Sequence, residues 1–447
     1  MQTIEADRLL EEGMDKAISI FWFRRDLRLN DNAGLYHALR SGNPVLPVFI
    51  FDTNILDDLE DRKDKRVCFI YDSLKKIQQT LLNIGSTLQI LYGNPEKSFE
   101  ILLEEYNIAA VYTNEDYEPY AIQRDASIEK LLKEKGISFH TYKDQVVFAK
   151  HEILKEDKTP YTVFTPYSKK WKQKLNDFFL KEYPTEKYFG NFLKQEAKPF
   201  PSLRELGFEK ADYEVTQPEL DETFVRGYEK TRNFPTVEGT TKLSVHLRFG
   251  TVSIRVIAKH LHAINETALN EVIWREFFSS ILFHFPHTIH SSFKPTYDHI
   301  KWRNNEQEFQ AWCEGRTGYP IVDAGMRQLN EAGWMHNRVR MVVASFLCKH
   351  LLIDWRWGEA YFASKLMDYD MSQNVGNWQW VAGSGVDAAP YFRIFNPITQ
   401  QQKFDPELKY VKQWVKEFGT PEYAVPLVEH TIARERCLAV YKNAVAK

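Results

Sequence analysis

The feature that most constrains the fold is a change of pattern part-way along the chain. From Ala17 to about Phe148, short apolar runs such as ISIFWF (18–23) and VLPVFIF (45–51) alternate with amphipathic helical patterns. Apolar strands that are joined by helices are typical of a parallel sheet covered on both faces. After residue 219 the alternation stops and helical patterns take over. The sequence therefore predicts an α/β domain followed by an all-α domain.

The predicted domain limits follow this change. We expect an acidic N-terminal extension over residues 1–16, an α/β domain over 17–148, a connector rich in Lys, Pro, Tyr and Phe over 149–218, and a helical domain over 219–447. A chain of 447 residues is too long for one ordinary core, which agrees with more than one domain.

Several kinds of site are disfavoured. Neither GxGxxG nor GxxxxGK[ST] follows the first strand, so neither standard phosphate loop is expected. The four cysteines (Cys68, Cys313, Cys348, Cys437) form no CxxC pair and have no histidine at ligand spacing, so we expect buried thiols and no metal site. No apolar run is long enough to span a bilayer, and the first residues lack a secretory signal pattern. We therefore expect a cytoplasmic protein with no membrane partner.

Charge is unevenly distributed. Residues 1–145 contain 18 Lys and Arg against 25 Asp and Glu, whereas residues 146–447 contain 40 against 36. A polyanionic partner such as nucleic acid would therefore bind the second part of the chain.

The stretch from Gly333 to Pro397 concentrates aromatic and polar chemistry. It contains five tryptophans, the basic cluster NRVRM (337–341) and the Gly-containing segment NVGNWQW (374–380). Eight of the 11 tryptophans lie within residues 274–380. Indoles serve cores and base stacking alike, so composition alone does not say which of them are functional.

Two predicted helices present mixed faces. In NEVIWREFFSSILFHFP (270–286), Glu271, Trp274, Arg275 and Phe278 share one face at i, i+3, i+4 and i+7. In HNRVRMVVASFL (336–347), the apolar side is formed by Val339, Val342, Val343 and Phe346, and the opposite side by Asn337, Arg340 and Met341, with Arg338 on a flank. The polar side needs a second environment that satisfies its arginines.

A third segment, EGTTKLSVHLRFGTVS (238–253), offers hydroxyls before a predicted helix. Thr240, Thr241 and Ser244 with the backbone amides there could hold an anion. Serine and threonine at such positions also serve as helix caps.

Six segments together resemble one protein family, the photolyase/cryptochrome flavoproteins, and most of all the microbial class I cyclobutane pyrimidine dimer photolyases. These segments are WFRRDLRLNDN (22–32), EGTTKLSVHLRFGTVS, EVIWREFF (271–278), GRTGYPIVDAGMRQLNEAGWMHNRVRM (315–341), DWRWGEAYF (354–362) and NVGNWQWVAGSGVDAAPYFRIFNP (374–397). The resemblance runs from about Ala17 to Lys447. It implies an N-terminal Rossmann-like domain, a connector and a C-terminal helical domain that binds FAD.

The resemblance also implies the flavin-binding residues. Tyr228, Thr240, Thr241, Leu243 and Ser244 would hold the phosphates and the ribityl chain. Asn337, Arg340, Asp368, Asp370 and Asn374 would surround the isoalloxazine, with Asn374 beside flavin N5 and an Arg340–Asp368 ion pair over the ring. A Gly-containing turn at Val375–Asn377 would let the backbone approach the flat ring.

The activity implied is light-driven repair of DNA, a carbon–carbon lyase reaction. Excited, reduced, anionic FAD passes one electron to a dimer that is flipped out of the duplex, the ring splits, and the electron returns. Glu271 would hydrogen-bond the dimer, Trp274, Trp380 and Met341 would line its pocket, and Arg232, Arg275, Arg338 and Arg393 would face the DNA backbone. Trp378, Trp355 and Trp302 match a tryptophan triad that photoreduces FAD.

The antenna chromophore stays open. Relatives that use folate carry an Asn-Glu pair where this chain has Tyr120-Ala121, and the lysine they present near His290 is missing. A folate antenna is therefore not expected, and a deazaflavin, another flavin or no antenna remain.

The resemblance leaves two alternative functions open. A cryptochrome-type photoreceptor would share the fold and FAD but not repair DNA, and the chain lacks a long polar tail after Lys447. Repair of (6-4) photoproducts would need a histidine pair beside the lesion, whereas NRVRM is preceded by His336 alone. We expect UV-damaged DNA as the partner of a monomeric enzyme.

Overall fold

The computed structural model describes residues 16–218 and 220–446. They form two compact units, which are described separately. The first comprises residues up to Ala149 with Leu175–Tyr213 and His246–Lys259, and the second comprises Lys150–Lys174, Glu214–Val245 and residues from His260 onward. Residues 1–15 of the predicted extension lie outside the described residues. The predicted domain limits stay a prediction.

The first unit is built on a parallel five-stranded sheet. Its strands are β1 (Ile18–Phe23), β2 (Val45–Asp52), β3 (Gln89–Gly93), β4 (Ile108–Asn114) and β5 (Ser138–Tyr142). They lie in the order β3-β2-β1-β4-β5, and all neighbouring pairs are parallel. β1 and β2 are buried along their whole length, as apolar strands at the centre of a covered sheet must be. This confirms the predicted α/β architecture.

Helices join the strands and cover the faces of the sheet. The helices of this region are α1 (Ala33–Leu39), α2 (Thr53–Leu56), α3 (Lys65–Asn83), α4 (Pro95–Glu105) and α5 (Pro119–Glu134), with a 3-10 turn at Thr185–Asn191. Ile20, Val48 and Val111 from the central strands pack with Phe99 and Leu132 from the helices. The helices that follow β3 and β4 therefore also close part of the core.

A narrow crevice opens at the carboxyl ends of β1 and β4, where the strand order reverses. It is lined by Arg24, Arg25, Asp26, Asn114, Glu115, Asp116, Asp144 and Gln145. Such switch points are where open α/β sheets place ligands. Asn114 donates to Asp26 across a 2.6 Å Nδ2–Oδ2 distance, so part of this lining is held by its own hydrogen bonds.

The second unit is helical. Its elements include α6 (Phe164–Lys174), α7 (Glu222–Arg226), α8 (Tyr228–Thr231), α11 (Glu266–His284), α12 (Glu306–Cys313), α13 (Pro320–Ala332), α14 (Asn337–Ser345), α15 (Trp355–Lys365), α16 (Met371–Ala382), α17 (Pro397–Phe404), α18 (Lys409–Trp414) and α19 (His430–Val445). Two helices, α9 (Ser244–Phe249) and α10 (Ile254–Ile264), cross the limits of the two units. Short 3-10 turns lie at Pro286–Ile289 and Pro295–His299.

The core of this unit forms around α13, α14, α15 and α16. The predicted apolar side of α14, which includes Val339 and Val343, is fully buried there, which confirms the helical pattern. α13 ends at Gly333 in the left-handed conformation (φ 67°), which turns the chain into α14. α14 continues into a π-helical turn, Phe346–Leu351, whose residues are all buried. This packing fixes the position of the polar side of α14.

Over residues 16–218 and 220–446, no helix has both the length and the apolar character needed to cross a bilayer. The same residues contain no group of three or more His, Cys, Asp or Glu side chains placed to hold a metal ion. The four cysteines are buried thiols.

Candidate functional site

The polar face of α11 carries a carboxylate next to an arginine. Glu271 forms an ion pair with Arg232, the residue that follows α8. Burial raises the pKa of Glu271, and the charge of Arg232 opposes this shift. A phosphate that drew Arg232 away would therefore favour the protonated carboxyl, which can donate a hydrogen bond.

One turn further along α11, Trp274 is held among aromatic rings. The Phe164 ring lies parallel to the indole, with centroids 3.7 Å apart and an interplanar angle of 5°. Phe278 lies at 5.5 Å and 28°. Since Trp274 itself is only half-buried, part of the indole stays accessible to a ligand.

The polar side of α14 is anchored by a second ion pair. Arg340 Nη2 lies 2.8 Å from Asp368 Oδ2, and its Nε donates to the backbone oxygen of Met335 at 2.7 Å. The Asp368 side chain is only 3% exposed. Its Oδ1 atom is buried but has no hydrogen-bond partner among the described residues. A buried carboxylate oxygen without a hydrogen-bond partner fits a site in which a polar ligand supplies the missing donor.

Asn374 on α16 has its amide group oriented by a neighbouring helix. Its Nδ2 donates to both the backbone oxygen and the Oε1 of Glu359 on α15, at 3.0 and 2.9 Å. Both amide hydrogens are thereby used, so Oδ1 is the atom left to accept a hydrogen bond from a ligand. Burial raises the pKa of Glu359, and the bond from Asn374 opposes this shift.

The expected turn at Val375–Asn377 is wrong. These residues lie inside α16, and Gly376 faces α11. A Cβ atom at position 376 would lie 2.2 Å from Cδ1 of Phe278, so the glycine permits the close approach of two helices.

The three tryptophans of the predicted triad differ in burial. Trp378 and Trp355 are 2% and 1% exposed, whereas Trp302 is half-buried at the edge of the same core. Trp302 meets Tyr441 edge to face, with centroids 6.1 Å apart. Two of the three indoles therefore lie inside the core, and Trp302 lies nearer to its surface.

The remaining predicted residues are distributed around these helices. Tyr228 and Leu243 are buried, Asp370 is buried at the N-cap position of α16, Thr240 and Thr241 are half-buried, and Ser244 is exposed as the first residue of α9. Asn337 is exposed, and Met341, Trp380 and Arg275 are half-buried. Arg338 bonds to Asn233 Oδ1 at 2.7 Å, and Arg393 is exposed. The site assignments themselves stay predictions.

Comparison with known proteins gives the family. Residues 268–421 match the FAD binding domain of DNA photolyase, and residues 19–187 match the DNA photolyase model. The chain is 34% identical to a deoxyribodipyrimidine photo-lyase of Halobacterium salinarum, over 96% of this chain and 99% of that enzyme. The chain belongs to the DNA photolyase family.

Solved structures of photolyases have the same fold. A bacterial class III photolyase from Agrobacterium tumefaciens is 33% identical, with a TM-score of 0.85 over 97% of this chain and 98% of that one. An archaeal photolyase from Sulfolobus tokodaii, solved with two FAD molecules, is 35% identical, with a TM-score of 0.77 over 95% and 99%. These similarities confirm the α/β plus helical fold class and the expected FAD cofactor.

The residues of this photolyase fit FAD. Arg340 offers donors, and Asp368 Oδ1 and Asn374 Oδ1 offer acceptors, which match the mixed carbonyl and N–H edge of a flavin. Gln373 on α16 has a buried Oε1 with no partner among the described residues, and His336 has a buried Nε2 in the same condition. A polar cofactor would satisfy such atoms.

Sequence reasoning missed two residues that contact the photolyase site. Glu359, which orients Asn374, lies within the quoted DWRWGEAYF segment, and a carboxylate inside an otherwise aromatic helix was the available signal. Phe164, which stacks on Trp274, lies in the segment predicted as a connector, and no local signal distinguished it.

Proposed function

We propose that the protein is a deoxyribodipyrimidine photo-lyase, which uses light to split cyclobutane pyrimidine dimers in DNA. The observation that carries this proposal is similarity over nearly the whole chain to a Halobacterium salinarum enzyme of that name. FAD, when bound in its reduced form, supplies the photoexcited electron that opens the cyclobutane ring.

The α11 face binds and polarises the dimer. Trp274 and Trp380 provide flat apolar surfaces for the flipped-out pyrimidines, since aromatic stacking tolerates any base sequence. Glu271 donates a hydrogen bond to a dimer carbonyl when its carboxyl is protonated. Its raised pKa and its position beside Arg232 support this role.

Arginines hold the DNA backbone. Arg232, Arg275, Arg338 and Arg393 would neutralise phosphates without reading sequence. When Arg232 engages a phosphate, its ion pair with Glu271 is lost, so DNA binding and protonation of the carboxyl are linked. Arg338 donates a hydrogen bond to Asn233, and its guanidinium carbon lies 4.5 Å from the Phe404 ring centroid. These two contacts orient the guanidinium before DNA binds.

The polar sides of α14 and α16 hold FAD. Arg340 and Asp368 bind as a pair, Asn374 presents Oδ1 because Glu359 takes both of its amide hydrogens, and the segment with Thr240, Thr241 and Ser244 binds the phosphate end. Trp378, Trp355 and Trp302 conduct electrons inward to restore the reduced cofactor. They are therefore needed for activation rather than for repair.

We place the enzyme in the cytoplasm as a monomer whose partner is UV-damaged DNA. The limits at 17–148, 149–218 and 219–447 are proposed as the domain, connector and catalytic regions.

The test begins with the absorption spectrum of the purified protein. Flavin bands are expected, and a further near-UV or violet band would identify an antenna chromophore. An oligonucleotide with one defined thymine dimer is then illuminated with blue light in the presence of reductant, and intact thymines are quantified by chromatography. The controls are the same mixture in the dark and an oligonucleotide with one (6-4) photoproduct.

Light-dependent return of intact thymines from the dimer alone supports the proposal. Flavin bands and photoreduction without any repair would transfer the assignment to a photoreceptor. Repair of the (6-4) substrate instead of the dimer would assign the enzyme to the other lesion.

A further inference from the structure

The segment 161–174 contributes directly to the face that we assign to the dimer. α6 begins at Phe164, whose ring covers one side of the Trp274 indole at 3.7 Å and 5°. The contact joins residues 110 positions apart in the sequence. A face-to-face stack this close leaves no room for another ring on the same side of the indole.

α6 is fixed to α11 by buried polar contacts. Trp171 Nε1 donates to Glu276 Oε1 at 2.7 Å, and the Tyr167 hydroxyl donates to the same oxygen at 3.4 Å. Glu276 is 3% exposed and Trp171 is fully buried, so this bond is not shared with solvent. Ser168 Oγ adds a 3.3 Å bond to Asn270 Oδ1. The N-terminal end of α6 is therefore held in a defined place against the helix that carries Glu271 and Trp274.

The same end of α6 also reaches the segment that follows α16. The backbone N–H of Phe164 donates to Asp387 Oδ2 at 3.1 Å. Asp387 has a positive φ of 45°, which is uncommon for a residue with a side chain and is tolerated best by Asn and Asp. Phe164 thus contacts α11 through its ring and the chain beyond Trp380 through its backbone.

We propose that Phe164 is a positioning residue for the dimer: by stacking on one face of Trp274 it holds the indole so that the accessible part of the ring meets the flipped-out pyrimidines. This inference rests on the proposed function. It predicts that Phe164 acts through Trp274 and contributes to recognition of the lesion, without contributing to the binding of undamaged DNA.

A double-mutant cycle tests this dependence. The holoenzyme and its Phe164→Ala, Trp274→Ala and double variants are titrated in the dark with a fluorescent duplex that carries one thymine dimer, and with the undamaged duplex. Phe164→Ala should weaken binding of the dimer duplex about three- to tenfold, the range expected for one aromatic pair. Binding of undamaged DNA should not change.

The decisive comparison is made in the Trp274→Ala background. There, Phe164→Ala should weaken binding by less than about twofold, because the partner ring is already gone. Phe164→Tyr should bind like the wild type, since it keeps the flat ring. Val163→Ala, which removes an exposed neighbouring side chain, is the matched control and should also bind like the wild type.

Phe164→Leu covers the case in which the alanine variant does not fold. It keeps apolar volume but lacks a flat face, so it should lose dimer affinity while retaining the wild-type FAD content. Wild-type dimer binding by this variant would overturn the stacking role. Equal losses with and without Trp274, or equal losses on damaged and undamaged DNA, would overturn it as well.

Failure of the proposed function looks different. In that case the wild-type enzyme would neither prefer the dimer duplex nor repair it, and the positioning role would fall with it. If the wild type prefers and repairs the dimer but the cycle is additive, only the role of Phe164 is refuted.

Discussion

A buried histidine should make the helical unit sensitive to acid. His350 lies in the π-helical turn and is fully buried, with its Nε2 2.8 Å from Nδ1 of His430. Burial, together with the charges of His430 and Arg436, lowers the pKa of His350 from 6.5 to about 3. The folded protein therefore keeps this imidazole neutral at pH values where the unfolded chain protonates it. Lowering the pH below 6.5 stabilises the unfolded state, and the free energy of unfolding falls until about pH 3.

The size of this loss follows from the two pKa values. Each pH unit between them removes about 1.4 kcal/mol of stability per group. Between pH 6.5 and 5.0 the loss from His350 is therefore about 2 kcal/mol, a large fraction of the stability of an ordinary domain. His350→Gln removes the titration and keeps a polar end that can reach His430.

Urea titrations of wild type and His350→Gln at pH 7.0 and 5.0 measure the difference. Tryptophan fluorescence is the suitable signal, because every tryptophan except Trp22 lies in the second unit. The wild type should lose about 2 kcal/mol more than the variant over this interval. His299→Gln, at an exposed position, controls for the substitution itself and should lose as much as the wild type. Equal losses in wild type and His350→Gln would refute the reasoning.

Three further predictions concern the site. Glu271→Ala should leave FAD content unchanged and lower repair per absorbed photon several-fold, because one hydrogen bond to the dimer is lost; unchanged repair in a chromatographic assay would show that the carboxylate is not involved. Trp302→Phe should slow photoreduction, followed by absorbance, while chemically reduced enzyme repairs at the wild-type rate; equal loss of both would contradict its accessory role. Arg340→Ala leaves the buried Asp368 unpaired and should lower the FAD-to-protein ratio, with Arg340→Lys retaining more cofactor; full occupancy in the alanine variant would argue against this pair as a flavin contact.

Much of the fold could be predicted because its signals are local. β1 has the predicted bounds, Ile18–Phe23, and the predicted apolar side of α14 is buried in the core. Apolar strands and the 3.6-residue period are visible within a few residues of sequence. The FAD cofactor was predicted from the family motifs, because no local pattern indicated it.

The rest depends on contacts between distant segments. The sequence predicts a turn at Gly376 that lets the backbone approach a flat ring, whereas the structure has a helix there, and the glycine is needed because Phe278, almost a hundred residues earlier, lies against it. Phe164 was assigned to a connector because its surroundings are rich in proline and lysine, and only the folded chain brings it to Trp274. In both cases the deciding neighbour lies on another helix, which a single sequence does not reveal.

The absence of a side chain at Gly376 has a consequence for genetic screens. α11 carries Glu271 and Trp274, α16 carries Asn374 and Trp380, and the two helices can approach because nothing larger than hydrogen stands between the backbone at 376 and Phe278. Any other residue at position 376 would force α11 and α16 apart. A light-sensitive strain whose lesion maps to codon 376 would therefore resemble a loss of chemistry, although the altered residue has no reactive group. In random mutagenesis of this enzyme, position 376 will thus be among those where substitution most often abolishes activity, although its only role is to allow close packing.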